Sequence, residues 1–146
     1  MKKIVKVLII VMFIFIITGC KKDEKIIYEK ESDIEVSTIK VIINKKTYDL
    51  KLENNKTVEE FLDLLPQEFN MTELNGNEKY VYMKDSLSID PYNPKHIEKG
   101  DVMLYGDNCF VLFYKSFDTS YSYTKIGHID NLDDLGTENI IVKIEK

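Results

Sequence analysis

The chain has no arginine, no tryptophan and no alanine, and in 146 residues it carries only 2 cysteines, 2 histidines and 3 prolines. Each shortage excludes something. Without a guanidinium there is no planar fork of donors, so any chemistry that depends on one cannot run here; all 20 basic residues are lysines. The acidic balance, −5 overall, makes the chain a poor candidate for nucleic acid, whose phosphates need clustered cation. No apolar run approaches the roughly 20 residues of a spanning helix; the longest, Val7 to Ile17, has 11 residues. No paired carboxylates, glycine-rich phosphate loop, Ser/His/Asp order or internal repeat stands out, and no cofactor is expected.

What is present begins with the leader, "MKKIVKVLIIVMFIFIITGC". A basic start, the apolar run and the small pair Thr18-Gly19 before Cys20 have the layout of a secretory signal. The segment "ITGC" resembles the lipobox of bacterial lipoprotein precursors. That resemblance implies cleavage after residue 19, a diacylglycerol on the Cys20 thiol, and residence on the outer face of the cell membrane. Two acyl chains anchor stably where one is marginal. Removing Lys2, Lys3 and Lys6 with the leader takes the mature chain from −5 to −8. Membrane attachment must then come from the lipid, because an acidic surface is repelled by anionic headgroups.

Residues 20–37 read as the lipidated cysteine and a tether. Lys21 to Asp33 mixes charges of both signs with few apolar groups and shows neither helix nor strand spacing. Residues 38–146 read as one domain. "STIKVIINKKTYDLKL" alternates through Ile39, Val41 and Ile43, then Tyr48, Leu50 and Leu52, around Asn44-Lys45-Lys46: a hairpin. "KTVEEFLDLLP" predicts a helix with Thr57 as N-cap, Glu60 completing a capping box, Val58, Phe61, Leu62 and Leu65 on one face, and Pro66 as the stop. A second short helical turn is expected around Asn131 to Leu135. "EFNMTEL", "KYVYM", "DVMLY", "CFVLFY", "SYSYTKIGHI" and "NIIVKIE" read as strands between turn residues. The whole is a mainly β fold, a small closed barrel with one or two peripheral helices.

The block Glu98 to Ile129, "EKGDVMLYGDNCFVLFYKSFDTSYSYTKIGHI", and the upstream "TVEEFLDLLPQEFNMTELNGNEKYVYM" resemble the bacterial cyclophilin-like fold proteins. The likeness lies in a helix before strands, a Gly-Asp strand, a tight glycine turn, an apolar strand, and a Ser/Tyr-rich segment ending in an Ile-Gly-basic-Ile step. It implies a cyclophilin-like barrel over most of the mature chain. True cyclophilins isomerise X-Pro bonds with an arginine beside a proline pocket, and this chain has none. The resemblance thus leaves function open between a binding module and a weak or atypical prolyl isomerase for exported proteins.

Cys109 opens a strand after the three-residue turn Gly106-Asp107-Asn108, and both faces of that strand are apolar. It reads as an inward core residue of a central barrel strand rather than a nucleophile, which would need a base beside it. His128 with Asp130, Asp133 and Asp134 matches no zinc or calcium spacing and reads as a solvated loop. His96 reads as exposed. In "SFDTSYSYTK", Tyr121 and Tyr123 are expected on one strand face with Ser120, Ser122 and Thr124 on the other. Rigid rings with polar tips suit recognition of a peptide or small ligand. A ligand groove is therefore expected near Tyr105, Phe113, Tyr121 and Tyr123.

Overall fold

A computed structural model describes residues 37–146. The leader, Cys20 and the tether lie outside the described residues. Among the described residues the chain forms ten strands and one helix: β1 (Thr38–Ile43), β2 (Lys46–Leu52), α1 (Lys56–Asp63), β3 (Gln67–Leu74), β4 (Glu78–Tyr82), β5 (His96–Ile97), β6 (Asp101–Tyr105), β7 (Cys109–Phe113), β8 (Phe117–Asp118), β9 (Thr124–Ile129) and β10 (Ile140–Glu145). Eight of them close into an antiparallel barrel in the order β1-β10-β3-β4-β7-β6-β9-β2, and β5 pairs only with β8. Closure removes every sheet edge, so none of the eight strands is left with an unpaired row of amides.

The β1–β2 hairpin forms as the alternation requires. Its turn is tighter than expected: Asn44 and Lys45 take φ of 50° and 68°, the left-handed pair that matches strand twist, and Lys46 already pairs with Ile43. Ile39, Val41, Ile43, Leu50, Phe69, Met71, Val142 and Ile144 fill the barrel from these strands and their neighbours. Helix α1 contributes Val58 and Phe61 to the same core, with Phe61 stacked on Phe110 at 5.3 Å between centroids.

The helix starts differently from the sequence expectation. Asn55, not Thr57, is the N-cap, and its Oδ1 accepts from the Val58 amide at 2.9 Å. Thr57 is buried and donates to the Ser88 carbonyl, while Glu60 accepts from the Ser88 amide and hydroxyl. Both side chains are drawn away from capping by the loop that crosses them. Asn55 also donates through Nδ2 to the Lys125 carbonyl, which binds the helix start to β9. The segment Asn131 to Leu135 is a turn rather than a helix, with Asn131 at φ 55° and Leu132 and Leu135 dropped into the core.

Candidate functional site

On β7 the two apolar faces have different destinations. Phe110 and Leu112, with Tyr114 just past the strand, belong to the barrel interior. Cys109, Val111 and Phe113 face outward and form a second small core with Ile97, Met103 and Tyr123. This corrects the expectation that Cys109 points inward. The outer face stays apolar because the β5–β8 ribbon and the chain leading to β9 cover it, with Phe117 packed on Phe113.

The cover is incomplete, and where it stops there is a groove of about 440 Å³. That volume lies within the ordinary range of small-ligand sites, roughly 300–1,000 Å³. Register dictates its floor and walls. Tyr82 on β4 and Tyr105 on β6 both pair with Cys109, and the next row is Tyr80, Val111 and Met103. Glu78 pairs with Phe113 one step further along β4. From above, Thr119, Ser120, Tyr121 and Tyr123 line the same space.

Tyr105, Tyr121 and Tyr123 thus meet at one groove: the Tyr105 ring lies 6.0 Å from Tyr121 and 5.7 Å from Tyr123. Phe113 does not line it. It is fully buried below, edge-on to Tyr123 at 5.5 Å, and supports the wall from beneath. Tyr121 lies before the first residue of β9, so it shares no strand face with Tyr123; Tyr123 instead bridges to Tyr92 across the crossing loop. Thr119 fixes the start of this segment: its amide donates to the Lys95 carbonyl, and its hydroxyl accepts from the Tyr121 amide. Sequence reading missed the β4 wall, although the alternation Glu78-Lys79-Tyr80-Val81-Tyr82 puts Glu78, Tyr80 and Tyr82 on one face.

Three tyrosines at the groove stay accessible: Tyr82 is 66% exposed, Tyr121 60% and Tyr105 45%. Together they give the groove an exposed aromatic rim. Among the described residues, the charged groups lining the groove are the carboxylates of Glu78 and Asp118. Asp118 is engaged by His96 Nδ1 at 2.6 Å, which raises the pKa of that exposed histidine. Glu78 has no ion-pair partner among the described residues; burial, then the charge of Glu73, pushes its carboxyl up.

Cys109 forms the floor, 5% exposed, and its thiol is pushed up to about 11, first by burial and then by the charge of Glu78. A thiol held that far above neutrality is protonated and a poor nucleophile. In a Cys20→Ser chain, Cys109 is accordingly expected to react with iodoacetamide at pH 7.5 at least tenfold more slowly when folded than in urea. Equal rates in the two states would contradict the buried geometry.

The histidine and acids beyond β9 are built into the scaffold. His128 Nδ1 contacts Oδ1 of buried Asp101 at 2.9 Å. Asp130 pairs with Lys51, Asp133 accepts from Lys46 and Tyr48, and Asp134 accepts from the Gly136 amide. These groups do not converge on the groove.

Comparison with curated proteins and with solved structures finds no match. Residues 41–145 match the family described as the cyclophilin-like family. That span runs from β1 through the whole barrel to β10 and includes every wall of the groove, and on that match the chain belongs to the cyclophilin-like family.

Proposed function

We propose that this protein is a lipid-anchored lipoprotein of the outer face of the bacterial cell membrane whose barrel binds a peptide or small ligand without turning it over. The observation that carries the binding reading is the groove itself: exposed Tyr82, Tyr105 and Tyr121 around a floor of Val111 and Cys109. Large, rigid rings with polar tips give contact area at little conformational cost. The anchoring rests on the leader and Cys20, and the tether on the charged run that follows.

The non-catalytic part rests on what faces the groove. The chain has no arginine, and among the described residues neither a lysine nor a histidine lines the groove to donate charge to a prolyl amide. Its one thiol is protonated. Full-length protein in non-ionic detergent is expected to leave the cis–trans relaxation of a proline tetrapeptide at its uncatalysed rate. Acceleration that disappears on Tyr121→Ala or Tyr105→Ala would replace this reading with that of an atypical isomerase. Anchoring has its own test. Cys20→Ser is expected to move the protein from the membrane fraction to the soluble or secreted fraction, and continued retention would refute lipidation.

A further inference from the structure

The groove combines three features that together select a ligand charge. Its walls are aromatic: Tyr80 and Tyr82 rise from β4, and Tyr105, Tyr121 and Tyr123 stand opposite. At one end lies the carboxylate of Glu78, with no counter-cation among the described residues and partly withdrawn from water. Among the described residues, no lysine lines the groove. Lys79, the nearest in sequence, points to the opposite face of β4 and is committed to the barrel interior.

Aromatic faces carry negative charge density and attract a cation placed over them, most strongly where water is partly excluded. An uncompensated carboxylate beside them adds charge complementarity and sets which end of the groove the cation takes. Resting on the binding reading above, we infer that the groove binds a small organic ammonium ion, an alkylamine or a quaternary ammonium, with its charged head among the tyrosine rings next to Glu78. An anion would meet the Glu78 charge with no donor cation in the lining. A neutral apolar ligand would leave that carboxylate half-buried and unpaired, at a cost in affinity.

The test uses full-length protein in non-ionic detergent, titrated calorimetrically with choline, with n-butylammonium, with a proline-bearing tetrapeptide, and with 3,3-dimethyl-1-butanol, which copies the shape of choline without its charge. At least one cation is expected to bind about tenfold or more tighter than the neutral alcohol. Glu78→Gln and Tyr121→Leu are each expected to weaken that binding about tenfold, while Tyr121→Phe, which keeps the ring, leaves it nearly unchanged. Tyr121 is exposed and Glu78→Gln nearly isosteric, and an unshifted melting midpoint checks that both variants fold. If the alcohol or a proline-bearing peptide binds this groove as tightly as either cation, the ammonium assignment is overturned and the binding reading survives. If none of these probes binds, both are overturned.

Discussion

Gly127→Ala is expected to be among the most damaging single-methyl changes in the molecule. It should lower stability by more than about 3 kcal/mol, or more than about 12 °C in melting midpoint, and reduce the yield of folded protein. Gly127 sits on β9 where that strand pairs with Leu52 of β2 on one side and Val102 of β6 on the other, beside a bulge between Val102 and Met103. A Cβ there would overlap the carbonyl oxygen of Lys51 and lie 2.9 Å from Cδ1 of Leu50 and 3.1 Å from the Lys51 carbonyl carbon. The obstacle is backbone, so a rotamer change gives no relief; β2 and β9 would have to separate along the seam that closes the barrel. Gly106→Ala is the control. Gly106 sits at the β6–β7 tip at φ 62° with open space around it, so only the left-handed backbone cost of about 1–2 kcal/mol applies. Equal melting midpoints for the two variants would show that the close approach at Gly127 is not what closes the barrel. The Ile-Gly-basic-Ile step in the family resemblance has its physical reason here.

Lys79→Met is expected to cost about 2–5 kcal/mol, read as a fall of roughly 10–20 °C in the midpoint of thermal unfolding. Lys79 is completely buried on the inner face of β4, an unusual place for an ammonium group. Its Nζ donates to the carbonyls of Gly136 and Glu138, each at 2.6 Å, and lies 4.7 Å from the centroid of the Tyr114 ring. These contacts tie the chain entering β10 to the barrel interior. Methionine fills the same volume but donates nothing, so two carbonyl oxygens lose their partner in a dry site. Burial lowers the pKa of Lys79, while the charges of Glu73, Glu138 and Asp134 oppose that shift. Because the folded-state pKa is depressed, the folded protein releases this proton at lower pH than the unfolded chain does. The penalty that this depressed pKa places on folding is therefore fully present below the folded pKa and is relieved as pH rises through it, where the folded state gives up the proton while the unfolded chain still holds it. A Lys79→Met variant that melts with the parent would mean the two carbonyls find other donors and that the lysine contributes no net stability.

The same strand shows how a site is assembled from opposite faces. Glu78, Tyr80 and Tyr82 look outward into the groove while Lys79 between them looks in, so β4 supplies both a groove wall and a buried tie. Substitutions along it should therefore separate by parity. Odd positions change stability and even ones change binding.

Much of this protein could be read from its residues alone. The β1–β2 hairpin, the presence of α1, the eight barrel strands and the turn at Gly106 follow from local periodicity and turn chemistry, which act over a few residues; α1 nonetheless stops at Asp63, short of Leu65 and Pro66, and the two-residue strands β5 and β8 leave no local pattern to read. The missing arginine and the acidic balance are likewise properties of the chain as written. Tertiary structure decided matters that depend on which surfaces meet. Alternation says that Cys109, Val111 and Phe113 share a face, but when both faces are apolar it cannot say which is inside; the β5–β8 ribbon settled it by covering the outer one. Thr57 and Glu60 have capping chemistry, yet the loop at Ser88 takes both, and Asn55 caps instead. The groove exists because closure of the barrel puts β4, distant in sequence, next to β7, and so brings Tyr80 and Tyr82 to face Tyr105, Tyr121 and Tyr123. No local pattern encodes that juxtaposition, because it is a consequence of strand order.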